Sequence, residues 1–183
     1  MNVTIISGSP RKPNFSERIS TFLKIELEKK YPQHTYTILD VREFSLPFVQ
    51  NVWQNKEAVP AEKKALGDLV FGTDAFILVS PEYNGGYSSA MKNLLDHFPK
   101  FAHKTFGIVT YSPGMLGGIR AAQQMQNLIC GLFGIPSPQM LTIPAIEKKI
   151  NDEGAATDET FVKVAEGFLK EFMWLSEAVA EKK

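Results

Sequence analysis

The chain has 183 residues, of which 44% are hydrophobic and 22% charged; both shares sit near the ~45–50% and ~25% of ordinary soluble domains, so disorder is disfavoured and one domain over 1–183 is expected. Lys+Arg number 20 and Asp+Glu number 20, which leaves no basic excess to hold a polyanion, and nucleic acid is not an expected partner. One cysteine, Cys130, forbids an internal disulfide, three scattered histidines (His34, His97, His103) leave no zinc site, and no apolar run nears the ~18–20 residues that span a bilayer, so neither metal nor membrane is expected.

Residues 3–7 are apolar and β-branched and end in Gly8-Ser9-Pro10, which reads as a strand buried on both faces. This opening run has no charged leader or cleavage site, so a soluble cytoplasmic protein is expected. Ile19, Phe22, Leu23 and Leu27 then recur at helical spacing. Residues 35–39 give a second strand, and 40–59 carry turn and aromatic residues without a clear period. Within that segment Phe48 and Trp53 suit a substrate wall or, rather better, a subunit interface. A helix is expected from about Pro60 to Gly72, a buried strand over 75–80, a helix over 88–98, and a strand over 105–111. A long helix over 117–133 closes at Gly134, with Cys130 in its apolar run expected to be a small core residue, and residues 140–143 make a short fifth strand. The last segment places Phe161, Val164, Ala165, Phe168, Phe172, Leu175 and Val179 on one docking face, with Trp174 beside it as packing, and Lys182 and Lys183 near the negative end of the helix dipole. Strands alternating with helices imply an α/β sandwich with a mostly parallel sheet, built either in the order 2-1-3-4-5 or as half of a dinucleotide fold. Either order binds ligands beyond the carboxyl ends of the strands.

Three of those ends run into loops rich in Gly, Ser, Pro and Asn. Loop one, GSPRKPNFSER (8–18), brings the hydroxyls of Ser9 and Ser16, the guanidinium of Arg11 and a helix start, which together have the chemistry of a phosphate cradle. It has neither the lysine of a P-loop nor a GxGxxG fingerprint, so ATP and a Rossmann-type dinucleotide site are disfavoured. Asn14 with Glu17 three positions on also reads as a capping-box-like helix start, which is compatible with anion binding. Loop two, SPEYNGGYSSAMKNLLD (80–96), has in Asn84-Gly85-Gly86 a run that permits positive φ and close approach of a flat ligand to backbone amides, with aromatic faces at Tyr83 and Tyr87, and suits a planar ring. Loop three, YSPGMLGGIRAA (111–122), allows donors to face inward at a further helix start, and Arg120 reads as a surface or subunit-contact charge.

GSPRKPNFS, SPEYNGGYSSAMKNLLD and SPGMLGGIRAAQQ, in this order, resemble the NAD(P)H-dependent FMN reductases, whose relatives reduce quinones, azo compounds and chromate. The resemblance implies a flavodoxin-like three-layer sandwich with a five-stranded parallel sheet in the order 2-1-3-4-5. It implies non-covalent FMN, NAD(P)H as co-substrate, a small-molecule electron acceptor such as a quinone or free flavin, and a homodimer or homotetramer. Carried over, Ser9, Arg11 and Ser16 hold the phosphate with backbone help at Asn14 and Phe15. The ring lies along Pro81, Glu82, Tyr83, Asn84 and Gly85, and Ser112 and Gly114 close the far side. Where the family often shows Ser-x-Asn, this chain has Asn14-Phe15-Ser16. No side chain is expected to be catalytic as acid or base, because flavin N5 itself accepts and delivers hydride in a ping-pong reaction. An electron carrier of the flavodoxin type and a non-catalytic flavin-binding scaffold are the alternatives on the same fold.

Overall fold

Six strands and five helices are built from these runs in a computed structural model that describes residues 1–182; Lys183 and its expected place at the helix end lie outside the described residues. Strand β1 (Asn2–Ser7) pairs in parallel with β2 (Thr35–Asp40) on one side and β3 (Ala75–Pro81) on the other, and β3 pairs with β4 (Thr105–Ser112). All seven residues of β3 are buried, which explains its unbroken apolar composition: both faces of the sheet are covered. With β5 (Ile135–Pro136) beside β4, the order β2-β1-β3-β4-β5 is the one expected from the resemblance.

The fifth position departs from expectation. Two short strands, β5 (Ile135–Pro136) and β6 (Leu141–Pro144), share the same edge of β4, the first at its start and the second at its end. Pro136 and Pro138 have no N–H to give to a ladder, and between them Ser137 donates to Phe106 O at 2.8 Å.

Helices α1 (Phe15–Lys30) and α5 (Glu159–Ala180) cover one face; α2 (Lys64–Gly72), α3 (Ser89–Asp96) and α4 (Ile119–Gly131) cover the other. Ile19, Phe22, Leu23 and Leu27 of α1 are buried, as their spacing predicts. The helix expected from Pro60 begins with a 3₁₀ turn at Ala61–Lys63. Helix α4 is shorter than expected, because Gly117 and Gly118 hold positive φ and leave the helix at its start. At its end Phe133, not Gly134, takes the left-handed position (φ 62°), while Gly134 donates to Ile129 O at 2.9 Å. Glycine is required at 134 for space instead: a Cβ there would lie 2.5 Å from the Phe106 ring.

Three expected core residues are corrected. The buried face of α5 runs through Phe161, Ala165, Phe168, Leu169, Phe172 and Met173, and leaves Val164 half-exposed and Trp174 exposed. Cys130 also faces solvent, one position off the buried line of Met125 and Ile129. Trp53 is buried: its ring packs 4.8 Å from His97 and 5.4 Å from Phe98 in the core beside α3, whereas Phe48 is exposed.

Asp40, at the end of β2, is buried and receives two bonds from the Arg42 side chain, at 2.9 and 2.6 Å. Burial raises its pKa, but the Arg42 side-chain and backbone bonds outweigh that and hold it below the ordinary carboxylate value. A depressed folded pKa stabilises the fold above the ordinary value of 3.8 and is lost as pH falls through the lower one. Arg42→Gln should therefore cost roughly 1–3 kcal/mol at neutral pH. In urea melts the deficit should shrink steadily below about pH 4; a deficit constant from pH 7 to pH 2 would refute the pairing.

Candidate functional site

The switch point of the sheet lies between β1 and β3, where the chain leaves in opposite directions for α1 and α3. A cavity of about 270 Å³ opens there, lined by loop one, the end of β3, the end of β4 and one residue from the turn after β6.

Loop one is arranged by its own polar groups. Asn14 Oδ1 accepts from Glu17 N–H at 2.9 Å and so caps α1, and Asn14 Nδ2 donates to Arg11 O at 2.9 Å. Ser9 Oγ accepts from Arg11 N–H at 3.3 Å and lies 3.2 Å from the Tyr83 hydroxyl. The Arg11 guanidinium sits over the Tyr83 ring, 4.3 Å from its centroid, at the mouth of the cavity. Hydroxyls, a guanidinium and a helix start that meet in one hollow suit a phosphate monoester.

Loop two forms the tight turn its NGG motif permits. Tyr83 and Gly86 exchange backbone bonds at 2.8 and 3.0 Å, with Asn84 at φ 51° and Gly85 at φ 80°. Glu82 N–H donates to Tyr111 O at 3.2 Å, which carries the β3–β4 pairing into the loop. The Glu82 carboxylate accepts from Arg120 N–H at 3.1 Å and Ala121 N–H at 3.3 Å, and its other oxygen is 3.4 Å from the Arg120 guanidinium. The donors expected to be open at the start of α4 are thus occupied by the chain's own carboxylate. Arg120, expected to be a surface charge, is exposed but is also half of this clamp between loops two and three.

Of the expected site residues, Ser9, Arg11, Asn14, Phe15, Pro81, Glu82, Tyr83 and Ser112 line the cavity. Four do not. Ser16 is fully buried behind it, Asn84 and Gly85 form the turn beyond its rim, and Gly114 is exposed on loop three. Pro13, Tyr111, Pro113 and Ile146 complete the lining and were not expected. Three of them stand inside or beside the motif loops and could have been found there. Ile146 could not: it is an apolar residue of a 3₁₀ turn (Ile146–Lys148) that lies outside the three motif loops.

Burial pushes the Tyr111 hydroxyl pKa up, against the opposing effect of bonds from Ser16 and Ser9, so the group stays protonated. Among the described residues that line the cavity there is no histidine or cysteine, and the single carboxylate, Glu82, is committed to α4. This set can bind and orient a ligand, but it holds no free acid–base pair.

The family model described as NADPH-dependent FMN reductase matches residues 1–148. An NAD(P)H-dependent FMN reductase of Schizosaccharomyces pombe is 30% identical over 149 residues, covering 78% of this chain and 73% of the relative. An NADPH azoreductase of a Bacillus species is 26% identical over 156 residues, covering 84% and 83%. Among solved structures, the flavoenzyme NAD(P)H:(acceptor) oxidoreductase FerB from Paracoccus denitrificans superposes with a TM-score of 0.81 over 97% of both chains at 23% identity, a likeness of fold.

Proposed function

The chain belongs to the NADPH-dependent FMN reductase family, and from that premise we propose that FMN binds non-covalently in the cavity at the β1–β3 switch point, with its phosphate on loop one. As a member of this family the protein is an enzyme that uses FMN and takes its electrons from NAD(P)H. The observation that carries the placement is the meeting, in one hollow, of the Ser9 hydroxyl, the Arg11 guanidinium and the capped start of α1.

Ser9, Arg11 and the α1 backbone at Asn14, Phe15 and Ser16 hold the phosphate. Pro81, Glu82 and Tyr83 lie along the ring, with the Asn84-Gly85 turn at its border and Ser112 and Gly114 on the far side. Bound FMN supplies the redox chemistry by accepting and delivering a hydride, which is why the cavity needs no acid–base pair of its own. The residues supply position: the Glu82 clamp fixes loops two and three relative to each other, and nicotinamide and acceptor enter the same cavity in turn. That shared entrance gives ping-pong kinetics with a small acceptor such as a quinone or free flavin. No helix among the described residues is long and apolar enough to cross a membrane; the proposal is of one cytoplasmic domain that assembles as a homodimer or homotetramer.

The test is a visible spectrum of the purified protein followed by initial rates of NADPH and NADH oxidation with a quinone and with FMN. A yellow protein, rapid oxidation of a nicotinamide and parallel double-reciprocal lines are expected. A colourless protein that ignores added FMN would sink the placement. Flavin bound without nicotinamide oxidation would make the chain a carrier, and intersecting lines would remove the ping-pong scheme.

A further inference from the structure

Behind loop one the hydrogen bonds can be counted. Ser16 Oγ donates to Val79 O at 3.4 Å and lies 3.0 Å from the Tyr111 hydroxyl. With its proton directed at Val79, Ser16 Oγ faces Tyr111 as an acceptor. The side chains of Ser16 and Ser9 and the Ser16 backbone N–H, a first-turn donor with no partner inside α1, all act to lower the pKa of the Tyr111 hydroxyl against its burial. The Tyr111 O–H can then turn from Ser16 to the cavity that its own side chain lines, where the Ser9 hydroxyl also stands. Packing does not call for it. The ring meets Phe15 edge-on at 6.2 Å, which phenylalanine would do as well, and a buried hydroxyl carries a desolvation cost that an apolar ring avoids.

We infer that Tyr111 is a specificity residue of the flavin site, whose hydroxyl donates to the terminal phosphate and so favours FMN over the same ring system without a phosphate. The inference rests on the placement of FMN proposed above. Tyr111 stands opposite Pro81 in the β3–β4 register, so the phosphate is read from β4 as well as from loop one. Tyrosine suits this position because burial keeps the group protonated, hence a donor beside a dianion.

The experiment titrates the full chain, freed of flavin, with FMN and with riboflavin, following the quenching of flavin fluorescence, in wild type, Tyr111→Phe and Tyr111→Leu. Wild type should bind FMN more tightly than riboflavin, and inorganic phosphate should compete with FMN only. Both variants should lose roughly 10- to 100-fold in FMN affinity while riboflavin affinity changes by less than about twofold. The ratio is read within each variant, so a smaller folded fraction cancels. An unchanged ratio in both variants, whether the two affinities fall together or not at all, would make the hydroxyl merely structural and overturn the inference. Equal binding of both flavins by wild type would overturn it too. Binding of neither by wild type would instead remove the FMN placement itself, and this inference with it.

Discussion

Arg11→Ala should yield a stable, folded chain that has lost most of its hold on FMN. The side chain is exposed, and its truncation leaves the loop-one backbone bonds intact, since Arg11 contributes its N–H to Ser9 and its carbonyl to Asn14. The thermal midpoint should barely move, because the lost contact with the Tyr83 ring is a surface one, within about 0.5 kcal/mol. Against a phosphate dianion the guanidinium offers forked, charge-assisted bonds worth roughly 1.5–3 kcal/mol. FMN affinity should fall about 10- to 150-fold while riboflavin affinity holds, with Arg11→Lys falling between, because a point charge keeps the attraction and loses the fork. Calorimetric titration with both flavins decides it. If Arg11→Ala binds FMN as wild type does, the phosphate does not sit on loop one.

Gly117→Ala should be the most damaging single-methyl change at the site. Gly117 has φ 58°, and a Cβ there would lie 2.8 Å from the backbone nitrogens of Ile143 and Pro144, which cannot rotate aside. Left-handed strain of roughly 1–2 kcal/mol adds to overpacking of roughly 1–3 kcal/mol. For a chain of this size that lowers the thermal midpoint by roughly 5–15 °C. The damage should reach the ligand as well. Loop three is held by the Thr110 hydroxyl, which donates to Gly117 O at 3.1 Å, and a shift there moves Ser112 and Pro113 in the cavity wall. Gly131→Ala is the control: nothing lies within 4 Å of its added Cβ, in the last turn of α4, so the change should be neutral or slightly stabilising. Equal melting temperatures for the two variants would show that loop three does not depend on this close approach.

The Glu82 clamp shows why a motif can be visible while its role is not. The PEYN string marks a strand end, but a helix start wants a negative charge wherever one can reach it. Only the fold brings Glu82, 38 residues away from Arg120 in sequence, to the first turn of α4. Tyr83 was legible as an aromatic group of loop two; that its hydroxyl would meet Ser9 and its ring would lie under Arg11 was not.

Order of elements, the parallel sheet and the three loops were readable from residue types because each depends on short-range chemistry: apolar runs that must be covered on both faces, helical spacing in α1, and Asn-Gly at a turn with positive φ. Side-chain destinations were not, because they depend on which surfaces meet. Trp53 entered the core against His97 and Phe98, just past the end of α3, while Trp174 and Cys130 lie one position off the buried lines of their helices and face outward. Ile146 joined the cavity wall because packing against the sheet buried it. The edge strand broke in two because its prolines withhold donors from a ladder whose register β4 sets.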